Sequence, residues 1–199
     1  MLFVPGETGA GERNVKSFAK QLAMLIARIL VLPAACIAAF GRWPTGYLFC
    51  AQTMATIPGI LGSYLRVAYY GFTLDSAGKD SQIGFGSYFA HSSASFGDSV
   101  GVGAYCVLGQ VDIGSGTELA SHVQIVSGSK QHRRDEEGKL TDEGRSFRRI
   151  KVGTYCWIGA GAIVMADLGD SVTVGAGAVV SRDVAKGLTV AGNPAMPKT

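Results

Sequence analysis

The three histidines of this sequence, His91, His122 and His132, are its best candidates for proton transfer. An imidazole suits the role of a general base because its pKa lies close to neutral pH. A set of three imidazoles also binds zinc, so a metal centre is an alternative. The choice between these two chemistries depends on where the fold places the three side chains.

The composition excludes several classes of protein. Glycine is frequent, with 28 residues, while proline has 6 and 47% of the residues are hydrophobic, which excludes a disordered chain and collagen. The net charge is +3, and no dense run of lysine and arginine interleaved with aromatic residues is present, so we expect no nucleic-acid partner. The cysteines stand singly in apolar runs, typical of buried free thiols in a reducing compartment: Cys36, Cys50, Cys106 and Cys156.

From about Ser81 onward the sequence repeats with a period of six residues. An aliphatic residue followed by glycine recurs, most clearly in the runs that begin at Ile158 and Val174. Neither a helix nor an ordinary alternating strand has this period, but a coil with three short flat sides does. The pattern predicts an all-β fold, a parallel β-helix of hexapeptide repeats. Its aliphatic residues point inward, and its glycines permit the tight turns.

Counting in sixes assigns each inward residue to one of three faces. Face 1 takes Phe96, Ile113, Val152 and Leu168; face 2 takes Ile83, Val102, Leu119, Ile158 and Val174; face 3 takes Phe89, Leu108, Ile125, Val164 and Val180. The units on face 3 are uneven, and a charged excursion over residues 129–149 interrupts one of them. Insertions on one side of a solenoid often build its binding surface, so we expect the site beside face 3, with His91 and the excursion that contains His132.

Four motifs carry a resemblance to a known family. They are Tyr155-Cys-Trp-Ile-Gly-Ala-Gly-Ala-Ile-Val, a second GAGAVV run, Ser181-Arg-Asp-Val and Gly192-Asn-Pro-Ala. Over residues 81–194 the chain resembles the hexapeptide-repeat acyltransferases, in particular the galactoside, maltose and streptogramin O-acetyltransferases and their polysaccharide-modifying relatives. The resemblance implies a left-handed parallel β-helix and a homotrimer with its sites between subunits. It also implies transfer of an acetyl group from acetyl-CoA to a sugar hydroxyl, with no metal expected.

The resemblance assigns the proton-transfer step to His132, near the start of the excursion. In the family this histidine usually follows the equivalent of Ser127-Gly128 within a residue or two, and here three residues intervene. His91, on the same side of the coil, is the alternative base or an acceptor contact, against the simpler interpretation of a solvated corner histidine. His122 falls on a different face, which favours a surface or subunit-interface position.

The donor site follows from the same resemblance. Trp157 borders the acyl-donor site or is an apolar interface residue. The residues implied to bind the cofactor are Ala160 and Ala176, with backbone along the CoA arm, and Ser181 and Arg182, near its nucleotide end. An arginine there suits the phosphates of CoA.

Residues 1–72 differ from the rest and predict an apolar helical segment with six basic and two acidic residues. The stretches 22–40 and 47–65 have about the length that crosses a bilayer, but Pro33 and Pro58 interrupt them. We expect a hairpin in the inner-leaflet interface through residues 18–70, which places the protein in the cytoplasm at the inner face of the membrane. The alternatives are a cap packed on the β-helix or on a neighbouring subunit, and a true membrane span.

The apolar segment favours an acceptor sugar in a polysaccharide or a lipid-linked precursor. The expected organisation is a helical segment over 1–72 and an acyltransferase β-helix over 81–199, with the excursion at 129–149. Two other functions remain open at this point. One is a non-catalytic trimeric scaffold at a membrane complex, and the other is a metalloenzyme similar to the γ-carbonic anhydrases.

Overall fold

A computed structural model of the chain describes residues 10–127, 133–141 and 147–198. Three α-helices come first, and a coil of short parallel strands follows. The helices are α1, Ala10–Ile37, α2, Pro44–Ala55, and α3, Gly59–Thr73, with a 3-10 turn at Ala39–Gly41. The first strand of the coil begins at Ser76, directly after α3.

Prolines set the starts of α2 and α3 but do not interrupt α1. Pro44 takes the first position of α2, where its missing N–H leaves no helix bond unmade, and Pro58 precedes α3. The expected interruption at Pro33 was wrong, because α1 continues through it. Pro33 lies on the exposed side of the helix, so the helix loses an internal hydrogen bond there without burying an unpaired carbonyl in a core.

The coil is a solenoid of about five turns with three parallel sheets. Face 1 contains the strands Ser76–Ala77, Ser95–Phe96, Val111–Ile113 and Ile150–Val152, with single bridges at Leu168 and Val184. Face 2 contains Gln82–Ile83, Gly101–Val102, Glu118–Leu119, Trp157–Ile158, Thr173–Val174 and Thr189–Ala191, with Met196–Pro197 antiparallel at its end. Face 3 contains Tyr88–Phe89, Val107–Leu108, Gln124–Ile125, Ile163–Val164 and Val179–Val180.

The predicted faces are confirmed residue by residue. Phe96 pairs with Ile113 and Ile113 with Val152 on face 1, and the inward residues of the other faces pair in the same register. Each of these inward side chains is at most 4% exposed, so they form one continuous core along the axis of the coil. The six-residue count succeeds because every turn repeats the same local contacts.

Most inward residues are followed by a glycine, and these glycines have a role that differs from the expected one. A Cβ on Gly84 would lie 2.4 Å from the Gly103 oxygen in the next coil, and one on Gly114 would lie 2.5 Å from Gly153. The positive φ angles of the turns fall elsewhere, for example at Tyr105 and His122. These glycines therefore permit the close stacking of coils rather than the turns themselves.

The helices α2 and α3 cap the open N-terminal end of the solenoid. A column of aromatic rings joins the two parts: Tyr47, Tyr69, Tyr70, Phe89 and Phe96, with successive centroids 5.1–6.0 Å apart. Terminal caps of this kind shield the core of a solenoid from water. The sequence left three interpretations of the apolar segment open: an interfacial hairpin, a cap and a membrane span. The helices α2 and α3 form a cap.

Arg66 is buried within this cap. Its charge alone had suggested a position on a basic surface. Its side chain is 1% exposed, and its guanidinium donates to the carbonyl oxygens of Met54, Ile57 and Ile83 at 2.8–3.0 Å. Gly62 permits the close approach of the Ile57 carbonyl and of the guanidinium that donates to it, since a Cβ there would clash with the carbonyl oxygen and lie 2.9 Å from the guanidinium. One arginine thus ties the end of α2 to the first coil.

The helix α1 contacts the rest of the molecule through one narrow strip. Ala27, Val31, Ala35 and Ala38 are at most 2% exposed and recur every three or four residues. Over residues 17–37 the other side of the helix is mainly apolar and open: Phe18, Leu22, Leu25, Ile26, Ile29, Leu30, Leu32 and Ile37 are each 43–68% exposed. Cys36 lies on this open side, so its predicted burial was wrong, whereas the other three thiols are buried.

Candidate active site

Three of the candidate residues, His91, Ser181 and Arg182, lie where face 3 turns into face 1, which we call the third corner. In the first coil this corner contains His91, after the strand Tyr88–Phe89. Gln110 occupies it one coil further on, and the charged excursion leaves the solenoid there in the next coil. Arg182 lies in the same corner towards the C-terminal end. The uneven units of face 3 thus stack into one continuous edge.

His91 is half-buried under the returning end of the excursion. Its imidazole lies against the ring of Phe147, with centroids 5.2 Å apart. The Tyr47 hydroxyl donates to the carbonyl oxygens of Phe89 at 3.0 Å and His91 at 3.4 Å, which fixes the backbone beneath the ring. Burial lowers the pKa of His91 below its usual 6.5. The imidazole is therefore neutral near pH 7 and able to accept a proton.

The excursion leaves and re-enters the solenoid through a narrow neck. The Arg148 N–H donates to the Ser127 carbonyl at 2.9 Å, and the Ser127 hydroxyl accepts from the Gln110 N–H at 2.8 Å. Beyond the neck, Arg133–Arg134 pairs antiparallel with Leu140–Thr141. His132 lies outside the described residues, between the neck and the first strand of this hairpin in chain order.

Arg149 anchors the returning end of the excursion to the lower coils. Its guanidinium pairs with Asp75 at 2.8 Å and with Asp112 at 2.6 Å. Burial raises the pKa of Asp112, but hydrogen bonds from Arg149 and Ser95 outweigh that effect and leave the pKa below its usual range. The carboxylate is charged at neutral pH and continues to hold the arginine.

Arg148 anchors the same segment in the opposite direction. It pairs with Asp167 at 2.6 Å and with Asp183 at 3.3 Å, both in the upper coils. The two consecutive arginines therefore span the third corner along the axis of the solenoid. Phe147, directly before them, is held over His91 as a result.

The expected donor-site residues fall into two groups. Trp157 points outward from face 2, is 63% exposed, and borders a shallow depression with Glu118 and Tyr155. Ala160 and Ala176 stack in the corner between faces 2 and 3, the second corner, where the Gly177 N–H donates to the Ala160 carbonyl at 2.8 Å. Ser181 and Arg182 are exposed in the third corner.

The structure therefore does not bring all the expected site residues together within one chain. His91, Ser181 and Arg182 share the third corner, although they lie at different heights along the solenoid. Face 2 is the side of the three-sided coil opposite that corner, so Trp157 points away from His91. Residues on these two sides can meet only across a contact between two chains.

His122 lies in the same corner as Ala160 and Ala176, away from His91. It occupies the second corner at a φ of 64°, and its ring stacks on Tyr105 at 5.2 Å. Within residues 10–127, 133–141 and 147–198 no three histidine, cysteine or carboxylate side chains are close enough to hold a metal ion. His91 and His122 are on different corners, so they do not share a ligand set.

Comparison with solved structures shows the same architecture. A hexapeptide-repeat-containing acetyltransferase of Vibrio cholerae, solved with acetyl-CoA, has a TM-score of 0.62 and 17% identity over 83% of this chain and 88% of that one. Galactoside acetyltransferase in complex with coenzyme A has a TM-score of 0.57 and 17% identity, covering 79% and 82%. Maltose O-acetyltransferase of Clostridium difficile has a TM-score of 0.54 and 20% identity, covering 79% and 88%.

This chain has the fold of the hexapeptide-repeat acetyltransferases. The prediction of a left-handed parallel β-helix with an N-terminal helical segment is thereby confirmed. No protein-family model matches the sequence. No curated protein sequence matches it either.

Sequence reasoning missed Phe147, Arg148 and Arg149, which lie at the end of the charged excursion predicted over residues 129–149. Their partners Asp75 and Asp112 are distant in sequence, and no local pattern links them to the excursion. The one available signal was position, since an aromatic residue and two arginines directly precede the point where the hexad pattern resumes at Val152.

Proposed function

We propose that this protein transfers an acetyl group from acetyl-CoA to a hydroxyl of a sugar. The observation that carries the proposal is the third corner. It contains a half-buried histidine with a lowered pKa, covered by an anchored excursion, on a fold shared with three acetyltransferases of known structure. Two of those structures contain coenzyme A or acetyl-CoA, and two of the proteins are named for sugars.

The reaction needs a base, a stabilised oxyanion and two aligned substrates. His132 is the proposed base, and His91 is the proposed contact to the acceptor. The base removes the proton of the sugar hydroxyl while the hydroxyl oxygen attacks the thioester carbonyl. The tetrahedral intermediate then collapses, the carbon–sulfur bond breaks, and the CoA thiolate takes the proton from the imidazolium. The products are an acetyl ester and CoA.

The donor site is proposed to form between copies of the chain in a trimer. Trp157 and Tyr155 are 63% and 72% exposed on the side opposite His91, which leaves them open to the third corner of a neighbouring chain. Ala160 and Ala176 would present backbone groups to the pantetheine arm. Ser181 and Arg182 would bind the phosphates of the nucleotide end, a task that suits a guanidinium.

The acceptor is proposed to be a polysaccharide or lipid-linked precursor handled at the inner face of the cytoplasmic membrane. Among the described residues one helix, Ser17–Ile37, is long and apolar enough to cross a bilayer, with a mean hydropathy of 1.7. Only 17% of it is buried in the molecule. An open apolar helix beside a folded cap favours contact with the membrane surface.

The test is mass spectrometry of candidate sugars and lipid-linked sugars incubated with acetyl-CoA and the full-length chain. Acetylated product is expected with the wild type, and a loss of about a hundredfold or more in kcat is expected for His132→Ala. His91→Ala is expected to act mainly on the acceptor KM. His122→Ala is the matched control for the acceptor, because it removes the same side chain from the second corner, away from His91, and should leave the acceptor KM unchanged.

Two results would contradict the proposal. Coenzyme A binding without any acetyl transfer to a broad set of sugars would favour a non-catalytic scaffold. The second is a fall of kcat by about a hundredfold in His91→Ala with no change of kcat in His132→Ala. That result would make His91 the base and remove this role from His132.

A further inference from the structure

A cavity of about 520 Å³ lies outside the candidate active site, between α1, α3 and the first corner of the solenoid, where face 1 turns into face 2. Its walls come from one side of α1, from the outer side of α3, and from the turn of residues 77–82. The volume is in the range of sites that bind small molecules. None of the candidate catalytic or donor-site residues lines it.

The charges of this cavity are mainly positive. Lys20, Arg28 and Lys79 line it, against a single carboxylate, that of Asp80. Lys20 pairs with Asp80 at 2.7 Å, which holds one cation at the rim and lowers the pKa of Asp80. No carboxylate of the described residues pairs with the side chains of Arg28 or Lys79, so two cations are available to an anion.

The same cavity opens onto the apolar surface of α1. Leu25 and Ile60 line the cavity and are also 56% and 67% exposed, and Ile29 and Leu61 continue this surface at 65% and 58%. A ligand seated here meets positive charge and open hydrocarbon side by side. That combination fits an amphiphile with an anionic head better than a soluble anion, which gains nothing from the apolar wall.

We propose that this cavity binds the phosphate-bearing head group of a membrane lipid, with α1 lying in the acyl boundary beside it. Arg28 and Lys79 bind the phosphate, and Leu25 and Ile60 contact the first segments of the acyl or prenyl chain. The inference builds on the membrane contact proposed above and names its ligand chemistry. It would place the enzyme on a phosphate-rich leaflet, next to lipid-linked acceptors.

The test is co-sedimentation of the full-length chain with vesicles of phosphatidylcholine alone and of phosphatidylcholine with phosphatidic acid. Each phosphate-binding cation near a charged membrane contributes about a fivefold change in binding. The wild type should therefore prefer the phosphatidic acid vesicles by about tenfold or more. Arg28→Gln with Lys79→Gln should abolish the preference. Lys151→Gln with Lys186→Gln, exposed lysines of the solenoid, should retain it.

The variant Gly71→Leu distinguishes lipid binding in the cavity from lipid binding to a diffuse positively charged surface. Gly71 lines the cavity, and a Cβ added to it meets nothing within 4 Å, so a leucine there occupies part of the cavity without a change of charge. The preference for phosphatidic acid should fall to that of the double glutamine variant, while binding to neutral vesicles persists. Gln52→Leu, which adds leucine at an exposed position of α2 outside the cavity, is the control.

Three outcomes would overturn the proposal. An unchanged preference in Gly71→Leu would assign lipid binding to diffuse charge. The second outcome is that inorganic phosphate stabilises the wild type against heat but not Gly71→Leu, and that the wild type shows no preference between vesicles. The cavity would then bind a free anion. The third outcome is that the chain does not bind vesicles and forms an oligomer that dissociates in Ile29→Glu. That result would show that another copy of the chain covers α1. The assay needs neither acetyl-CoA nor a sugar, so its failure is distinguishable from a failure of acetyl transfer.

Discussion

The imidazole of His91 lies against the phenyl ring of Phe147, with the two centroids 5.2 Å apart. These residues belong to the first coil and to the far end of an excursion that leaves the solenoid two coils later. The contact closes the third corner over a histidine whose pKa is lowered by burial. Phe147 is therefore a positioning residue, which acts on the candidate acceptor site through His91.

Replacing Phe147 with alanine should expose His91 to water. We expect the pKa of His91 in Phe147→Ala to rise towards 6.5, because the desolvation that lowers it is lost. An NMR titration of the imidazole protons measures this pKa directly, and the acceptor KM should rise with it. Phe49→Ala, at a phenylalanine of α2 that is 67% exposed, is the matched control. A pKa of His91 that is the same in both variants would show that the excursion does not shield it.

The pH dependence of stability gives an independent measure of the same burial. Because the pKa of His91 is lower in the folded than in the unfolded chain, the unfolded chain binds the proton more readily between those two values. Protonation of His91 therefore lowers the free energy of unfolding as the pH falls below 6.5. Above that pH the imidazole is neutral in both states and costs no stability.

Urea unfolding midpoints measured between about pH 5 and pH 7.5 should reveal this contribution. The wild type should lose more stability on acidification than His91→Asn, which has no proton to gain. His122→Asn removes an exposed imidazole from the second corner and should follow the wild type. Parallel curves for wild type and His91→Asn would contradict the assigned burial.

The sequence allowed the solenoid to be predicted because its information is local and repeated. The inward residue of each hexad, such as Ile158 on face 2 or Val164 on face 3, follows from counting alone. The contacts at the third corner are not local. Nothing in the sequence distinguishes Arg149, which pairs with Asp75, from the solvated charges of the same excursion, so the anchoring of the site had to be observed.

Arg66 shows the same limit within the helical cap. In the sequence it has the same appearance as Arg28 and Arg42, yet it is 1% exposed and donates only to backbone carbonyls. Arg66→Met should lower the free energy of unfolding by about 3 kcal/mol, because buried carbonyls lose charged donors. Denaturant unfolding measures the change, and the exposed Arg42→Met should stay within about 0.5 kcal/mol of wild type. An equal effect of both substitutions would show that the cap does not depend on this arginine.

Trp157 offers a direct test of the donor site, because the chain contains only two tryptophans. Trp43, which is 53% exposed, lies directly before α2, so Trp43→Phe leaves Trp157 as the single tryptophan reporter. Binding of CoA beside Trp157 should cover its indole and change its emission, with half of the full change at the concentration that half-fills the site. The reciprocal variant, Trp157→Phe, retains Trp43 and should show no emission change. It should also bind CoA more weakly in calorimetry. Emission from Trp157 that stays constant while calorimetry detects CoA binding would place the donor site elsewhere on the solenoid.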